Sequence, residues 1–314
     1  MSGQEFWFAL ASVDGVGPMR IKRLINRFGT IEAIFDAELS EIARVPLFNP
    51  LLAARILKAR IRVAEFRRHI KWFKSRGIDI LCVEEEAYPS QLKGISDTPA
   101  ILCKKGNLSQ VSEKAVAIVG TTDPTDLGIR TTLELSTRLV QAGITVVSGL
   151  AKGTDASAHW GALYANGTTV GVVGSDLLSI YPSEKQELAN QICENGALFS
   201  EHPFTTQPTP ANLIRRNRLI SGLTMATIVV EAEENGGAIS TTRFALEQGR
   251  FVCAFNWEDR SRLSEGPRKL IQQGAYPILP GQLDNVVDVL SDPDHIAKIQ
   301  AAHLTGEQMD LFSE

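Results

Sequence analysis

The stretch Val-Ser-Gly-Leu-Ala-Lys-Gly-Thr-Asp-Ala-Ser-Ala-His, Val147 to His159, decides the reading of this chain. A short β-branched run, Ile144–Val147, leads into it, and a helix-like segment leaves it. Two further stretches are built the same way. Arg-Arg-Asn-Arg-Leu-Ile-Ser-Gly-Leu runs from Arg215 to Leu223, and Gly-Gly-Ala-Ile-Ser-Thr-Thr runs from Gly236 to Thr242. The runs Thr168–Val173 and Thr227–Val230 suit strands buried on both faces. Glycine lets backbone N–H groups approach an anion closely, and a helix N-terminus adds partial positive charge there. In an open α/β sheet, ligands bind beyond the carboxyl ends of the strands. Three anion-friendly turns of this kind therefore converge on one site.

Working outward, strands are expected at Ala115–Val119, Ile144–Val147, Thr168–Val173, Ala197–Phe199, Ile228–Val230 and Phe251–Ala254, with helices between them. That alternation implies an α/β fold with a doubly wound, mostly parallel sheet over residues 114–290. Residues 77–113 read as a connector. Its strands, Ile78–Val83 and Ala100–Lys104, flank a short helix around Tyr88–Leu92. Residues 1–76 read as a small all-helical domain. Its turn, Asp14-Gly15-Val16-Gly17-Pro18, looks like the hairpin of a helix-hairpin-helix unit that grips phosphates. A plain connection in a structural bundle fits it equally. Residues 291–314 read as a polar tail.

Length and composition bound the function. The 314 residues, 44% of them apolar, suffice for a large α/β core and a smaller domain. No apolar run is long enough to span a bilayer, and no signal-peptide pattern is present, so a cytoplasmic, membrane-free protein is expected. Cys82, Cys103, Cys193 and Cys253 are widely spaced without a C-x-x-C pair, so they read as buried thiols rather than metal ligands. Net charge is −4, unlike a typical nucleic-acid binder, but it is unevenly spread. Residues 1–76 hold 14 Lys/Arg against 7 Asp/Glu, or +7, and the remainder is −11. Residues 55–76 alone carry nine cations against Glu65. Such a run reads as a solvated helix face or as a set of phosphate contacts.

The ordered set Tyr88-Pro89…Leu92, Ser148-Gly149-Leu150-Ala151-Lys152-Gly153-x-Asp155…Ala158-His159, Tyr181-Pro182, Ser200-Glu201, Arg216-Asn217-Arg218-x-Ile220-Ser221-Gly222-Leu223, Glu231-Ala232 and Ala245-x-Glu247-x-Gly249-Arg250 resembles the DNA-processing protein A (DprA/Smf) family, over roughly Phe6 to Val289. The resemblance implies an extended Rossmann-like domain behind a SAM-like helical domain. It implies non-catalytic binding of single-stranded DNA, the loading of a RecA-type recombinase during natural transformation, and dimers formed through the main domain. A C-terminal winged-helix domain, frequent in the family, is not expected, because too few residues follow the main domain.

The expected phosphate contacts are Gly120, Thr121 and Thr122 in the first loop, and Gly149, Lys152 and Gly153 in the second. Arg215, Arg216, Asn217 and Arg218 follow, then Gly236, Gly237, Ser240 and Thr241. Where the family usually has Gly-Ser-Arg, this chain has Gly120-Thr121-Thr122, so a fixed charge is missing. For the arginines the alternative is pairing with Glu201 or Glu231. Asp155 is expected to cap its helix, with His159 four residues on in a structural hydrogen bond. Trp257 would stack on a base if exposed, or pack if buried. With no nucleophile evident, no catalytic residue, metal or cofactor is expected. The alternative function is a nucleotide sensor or nucleotide-cleaving enzyme on the same fold. Near the end, Gln308-Met309-Asp310-Leu311-Phe312 resembles the motif by which bacterial proteins dock on the DNA sliding clamp. Leu311 and Phe312 would fill an apolar pocket and Gln308 would bond at its rim.

Overall fold

The computed structural model describes residues 3–305 apart from 179, 182, 204, 205 and 207, and of 302–305 it describes the backbone only. The N-terminal unit contains α1 (Gln4–Ala11), α2 (Pro18–Phe28), α3 (Ile31–Asp36), α4 (Leu39–Ala43), α5 (Pro50–Ala59) and α6 (Val63–Lys74). Local chemistry sets these boundaries. Pro18 and Pro50 each open a helix at a position that needs no N–H donor. Asn49 Oδ1 caps α5 by accepting from Leu52 N at 2.8 Å.

The chain continues through β1 (Ile78–Cys82), α7 (Ser90–Lys93), β2 (Ile101–Lys105), β3 (Ala115–Val119), α8 (Asp126–Gln141), β4 (Thr145–Ser148) and α9 (Thr154–Tyr164). Next come β5 (Thr169–Val172), α10 (Gln186–Asn195), β6 (Ala197–Ser200), α11 (Pro210–Gly222), β7 (Ala226–Val229) and α12 (Gly237–Glu247). It ends with β8 (Phe251–Phe255), α13 (Arg262–Gln272), β9 (Tyr276–Ile278), α14 (Leu283–Ser291) and α15 (Pro293–Thr305).

Among the described residues, nine strands form one sheet in the order β1-β2-β6-β5-β4-β3-β7-β8-β9. The pairings β1 with β2 and β2 with β6 are antiparallel, and all the others are parallel. From β3 the chain first winds one way to β6 and then resumes on the other side at β7. The strand order therefore switches between β3 and β7, where an open α/β sheet leaves a crevice.

Strand periodicity divides the core. Val116 and Ile118 of β3 join the cluster that holds Leu135 and Leu139 of α8 and Val286 and Leu290 of α14. Ala115, Ala117 and Val119 join the opposite cluster, with Leu219 and Ile220 of α11 and Ala238 of α12. Helices thus cover both faces, as the sequence leads one to expect.

Three regions depart from expectation. The strands of the connector are not separate, because β2 hydrogen-bonds to β6 and carries the sheet outward. The helical unit shares one continuous core with β1, β2 and α10, and Gln4 Nε2 donates to Ile80 O at 2.9 Å. Residues 293–305, expected within the polar tail, form α15 and bury Ile296 and Ile299 against the main core. Cys82, Cys103 and Cys253 are buried, and burial pushes their thiols up, which disfavours the reactive thiolate. Among the described residues, no helix is long and apolar enough to cross a membrane.

Candidate functional site

At the switch point lies a pocket of about 380 Å³. Gly120, Thr121 and Thr122 line it from the turn after β3, and Ala151 from the turn after β4. Arg216 and Asn217 enter from α11, and Gly236, Gly237 and Thr241 from the start of α12. Three expected loops and the arginine-bearing helix therefore meet. The sequence reading missed Leu213 and Ile214, which line the rim and are 37% and 51% exposed. Their signal was two apolar residues directly ahead of the arginine run. It also missed the carboxylates of Asp155 and Glu233 in the lining.

Backbone geometry explains the glycines. A side chain on Gly149 would collide with the carboxylate of Asp155 and the guanidinium of Arg216. Gly153 sits at φ +76°, and a Cβ there would meet Pro124 Cδ at 2.6 Å. Neither is itself a lining residue. Both permit the close packing that places Arg216 and the first loop. The two loops are tied together by Thr154 N donating to Thr121 O at 3.1 Å.

The three arginines of α11 part company. Successive helical residues are rotated by about 100°, so neighbours in sequence face different surroundings. Arg216 turns to the pocket with its side chain 8% exposed. It donates to Val172 O and to Asn217 Oδ1, and stands 3.9 Å from Asp155 Oδ2. Burial lowers its pKa, and Asp155 opposes that shift. Arg218 is 2% exposed and lies between Asp97 Oδ2 at 2.9 Å and Glu201 Oε2 at 2.5 Å. Arg218 thus takes the ion-paired arrangement that stood as the alternative to its expected phosphate role, with Nη2 bonded to Glu201 and Nη1 buried without a hydrogen-bond partner. Arg215 is half-exposed, 3.6 Å from Glu201 Oε1, and lines a different cleft. That cleft, of about 680 Å³, separates the Gly15-Val16-Gly17 hairpin from the sheet domain, and Arg62 and His202 also line it.

Other expected residues take supporting positions. Lys152 is exposed and outside the lining, so among the described residues Arg216 is the one cation lining the pocket. Ser240 accepts from Asn217 Nδ2 at 2.9 Å and donates to Gly237 O, which orients Asn217. Asp155 does not cap α9. Its Oδ2 accepts from Ala151 N at 3.2 Å and so shapes the loop. His159 bonds not to Asp155 but to Thr169 Oγ1 and Gly149 O, each at 2.7 Å. Burial pushes its pKa down to about 4. Trp257 is 9% exposed, stacks on Phe255 and donates to Val230 O at 2.7 Å, so it packs and does not offer a base platform.

Two helix N-termini at this edge differ in what they can bind. Thr125 caps α8 by accepting from Gly128 N at 2.9 Å, and Thr125 itself bonds through N and Oγ1 to the Glu231 carboxylate. That end is already neutralised. By contrast, α12 opens at Gly236-Gly237 with no side-chain cap, so its first amides face the pocket beside Arg216. One buried guanidinium and one uncapped helix start together offer an anion modest positive potential. Gln308, Leu311 and Phe312 lie outside the described residues.

Two outcomes follow. Arg218→Ala leaves Glu201 buried without its partner and costs about 3–5 kcal/mol in urea unfolding, whereas Arg215→Ala costs less than about 1 kcal/mol. A small loss for Arg218→Ala would contradict the ion-pair role. His159 has a folded pKa near 4, below its unfolded value of 6.5, so its contribution is complete above pH 6.5 and is lost as pH falls towards 4. The urea midpoint should drop across that window in the native chain and drop less in His159→Gln.

Comparison with known proteins agrees with this architecture. Residues 79–291 match the model of DNA recombination-mediator protein A, and residues 9–60 match that of the SAM-like helix-hairpin-helix tandem. Protein Smf of Synechocystis sp. is 36% identical over 282 residues, covering 88% of this chain and 71% of that protein. DNA processing protein DprA of Bacillus subtilis is 36% identical over 244 residues, covering 74% and 82%. The crystal structure of DprA from Streptococcus pneumoniae superposes with a TM-score of 0.78 at 29% identity, over 91% of this chain and 96% of that one. DNA processing protein A from Helicobacter pylori, described for its single-stranded DNA binding mode, superposes with a TM-score of 0.61 at 26% identity, over 68% and 95%. Matched from Asp79 in β1 to Ser291 at the end of α14, this chain belongs to the DNA recombination-mediator protein A family.

Proposed function

We propose that this chain is a non-catalytic, single-stranded DNA-binding recombination mediator whose phosphate site is the switch-point pocket. The observation that carries this reading is the meeting of Arg216 with the uncapped start of α12 in a chain of this family. A flexible single strand can enter a pocket of this size, whereas a duplex cannot follow it in. Binding to phosphate rather than base edges fits a mediator that must act on any sequence. The hydroxyls of the pocket lining belong to threonines, and His159, outside the lining, has both ring nitrogens engaged by Thr169 and Gly149.

The partners implied by this role are a RecA-type recombinase and a second copy of the chain, in DNA uptake or repair. Gln308, Leu311 and Phe312 would add a dock on the sliding clamp, which raises the local concentration of a weak DNA binder. Cytoplasmic location follows from the same role.

A second reading keeps one specific support. The pocket volume falls in the range of small-molecule sites, and its lining sets Asp155 and Glu233 against one arginine. A free nucleotide, with fewer charges than a strand, suits that balance.

Titrating the protein with oligo-dT and with free nucleotides at two salt concentrations separates the two. The proposal predicts oligo-dT binding that weakens steeply with salt. Arg216→Ala should flatten the log–log slope by about 0.7 and weaken binding across all sequences. Lys152→Ala should act in the same direction but less, and Thr122→Arg should tighten binding. Salt-insensitive nucleotide binding without oligo-dT binding would favour the second reading.

A further inference from the structure

We propose that α5 and α6 carry a second DNA contact, onto which a single strand leaving the pocket runs and on which Trp72 stacks a base. The inference rests on the function proposed above and extends it to a second surface.

The first observation is unneutralised charge. All nine cations of residues 55–76 are exposed. Arg60, Arg62 and Arg67 pair with Asp36, Glu65 and Glu5. Among the described residues Arg55, Lys58, Arg68, Lys71 and Lys74 form no ion pair. A folded surface that leaves so many cations together repels itself unless a polyanion covers it.

The second observation is an aromatic set within that charge. Trp72 is 42% exposed, while its edge-on neighbour Phe73, 5.2 Å away, is buried and fixes it in place. The Arg76 guanidinium lies 3.7 Å over the Trp72 ring and donates to Trp72 O. Helical spacing places Arg68 and Trp72 along one side of α6, and the turn after it brings Arg76 onto the ring. A rigid ring among cations is what a stacking platform for single strands requires. An anionic membrane would call for more apolar side chains beside the charge. Among the described residues, the large exposed aliphatic groups of α5, α6 and their connection are Leu51 and Ile61, too few for a membrane-binding face.

The third observation is a route. Arg215, next to Arg216 on α11, lines the cleft between the sheet domain and the helical hairpin. Arg62, just before α6, lines the same cleft from the other side. The cations thus run from the pocket through Arg215 and Arg62 to α6, although Asp14 and Glu201 also border the cleft. The helix α6 packs on β1, at the sheet edge, five strand spacings from β3. That separation is about 24 Å. A short oligonucleotide held in the pocket therefore cannot reach Trp72, and a longer one can.

The test uses the full chain with oligo-dT of about 3 and about 20 extended nucleotides, lengths that fall either side of the span. Charge reversal of Arg68, Lys71 and Lys74 to Glu should weaken the long oligonucleotide by about tenfold or more and lower its salt slope by about 2, leaving the short one unchanged. Neutralising Arg55 and Lys58 to Gln gives a milder version on α5, and a circular dichroism melt confirms folding of each variant. The long oligonucleotide should quench tryptophan fluorescence, and Trp72→Phe should remove most of the quench, because Trp7 and Trp257 are buried and Trp160 is half-buried and stacked on Tyr164. Unchanged binding of both lengths in the reversed variant, or an equal loss for both, overturns the second contact while leaving the pocket assignment standing. Reversal that abolishes binding to phosphatidylserine vesicles but spares the long oligonucleotide overturns it in favour of a membrane surface. A native chain that binds neither length overturns the proposed function and this inference together.

Discussion

The fold of the functional edge depends on one buried arginine and the two carboxylates that flank it. The Arg218 guanidinium, almost without access to water, lies between Asp97 ahead of β2 and Glu201 beyond β6. A buried cation without carboxylates would cost several kcal/mol, so this contact fixes how α11 is rotated about its axis. With Arg218 turned inward, helical geometry turns Arg216 to the switch point and Arg215 to the hairpin cleft. The same contact ties together the antiparallel extension of the sheet, the parallel sheet and α11. Architecture and site thus share one constraint.

The electrostatics that result are restrained. The pocket holds one guanidinium, whose charge is partly answered by Asp155, and the amides that begin α12. Thr122 stands where a further cation would complete the loop, and Glu231 neutralises the neighbouring start of α8. Under the proposed function, such a site would orient a phosphate without holding it tightly. Affinity for a strand would then come from several contacts along it, which suits the proposed mediator role.

Much of this was legible in the sequence because its signals are local. Ala115–Val119 and Phe251–Phe255 are buried, strand-forming runs, and their periodicity is the same in isolation as in the fold. The glycine-rich turns were legible for the same reason. What was hidden depends on partners far along the chain. Nothing near Arg218 shows that Asp97 will meet it. The spacing of Asp155 and His159 suggested a pair, whereas tertiary packing gave His159 to Thr169 and Gly149. The strand β9 is three residues long and contains Pro277, so it carries no periodic signal of its own and exists because β8 offers it an edge. Ile296 and Ile299 were hidden by polar neighbours until α15 was seen packed on the sheet.

The central claim is that phosphate is held at the switch point by Arg216 and the start of α12. Amide hydrogen exchange, measured with and without oligo-dT, tests it most directly. The account predicts slowed exchange at Thr121, Thr122, Gly237 and Ala238, with α13 to α15 unchanged. Protection confined to the latter helices, with α12 exchanging at its free rate, would contradict it.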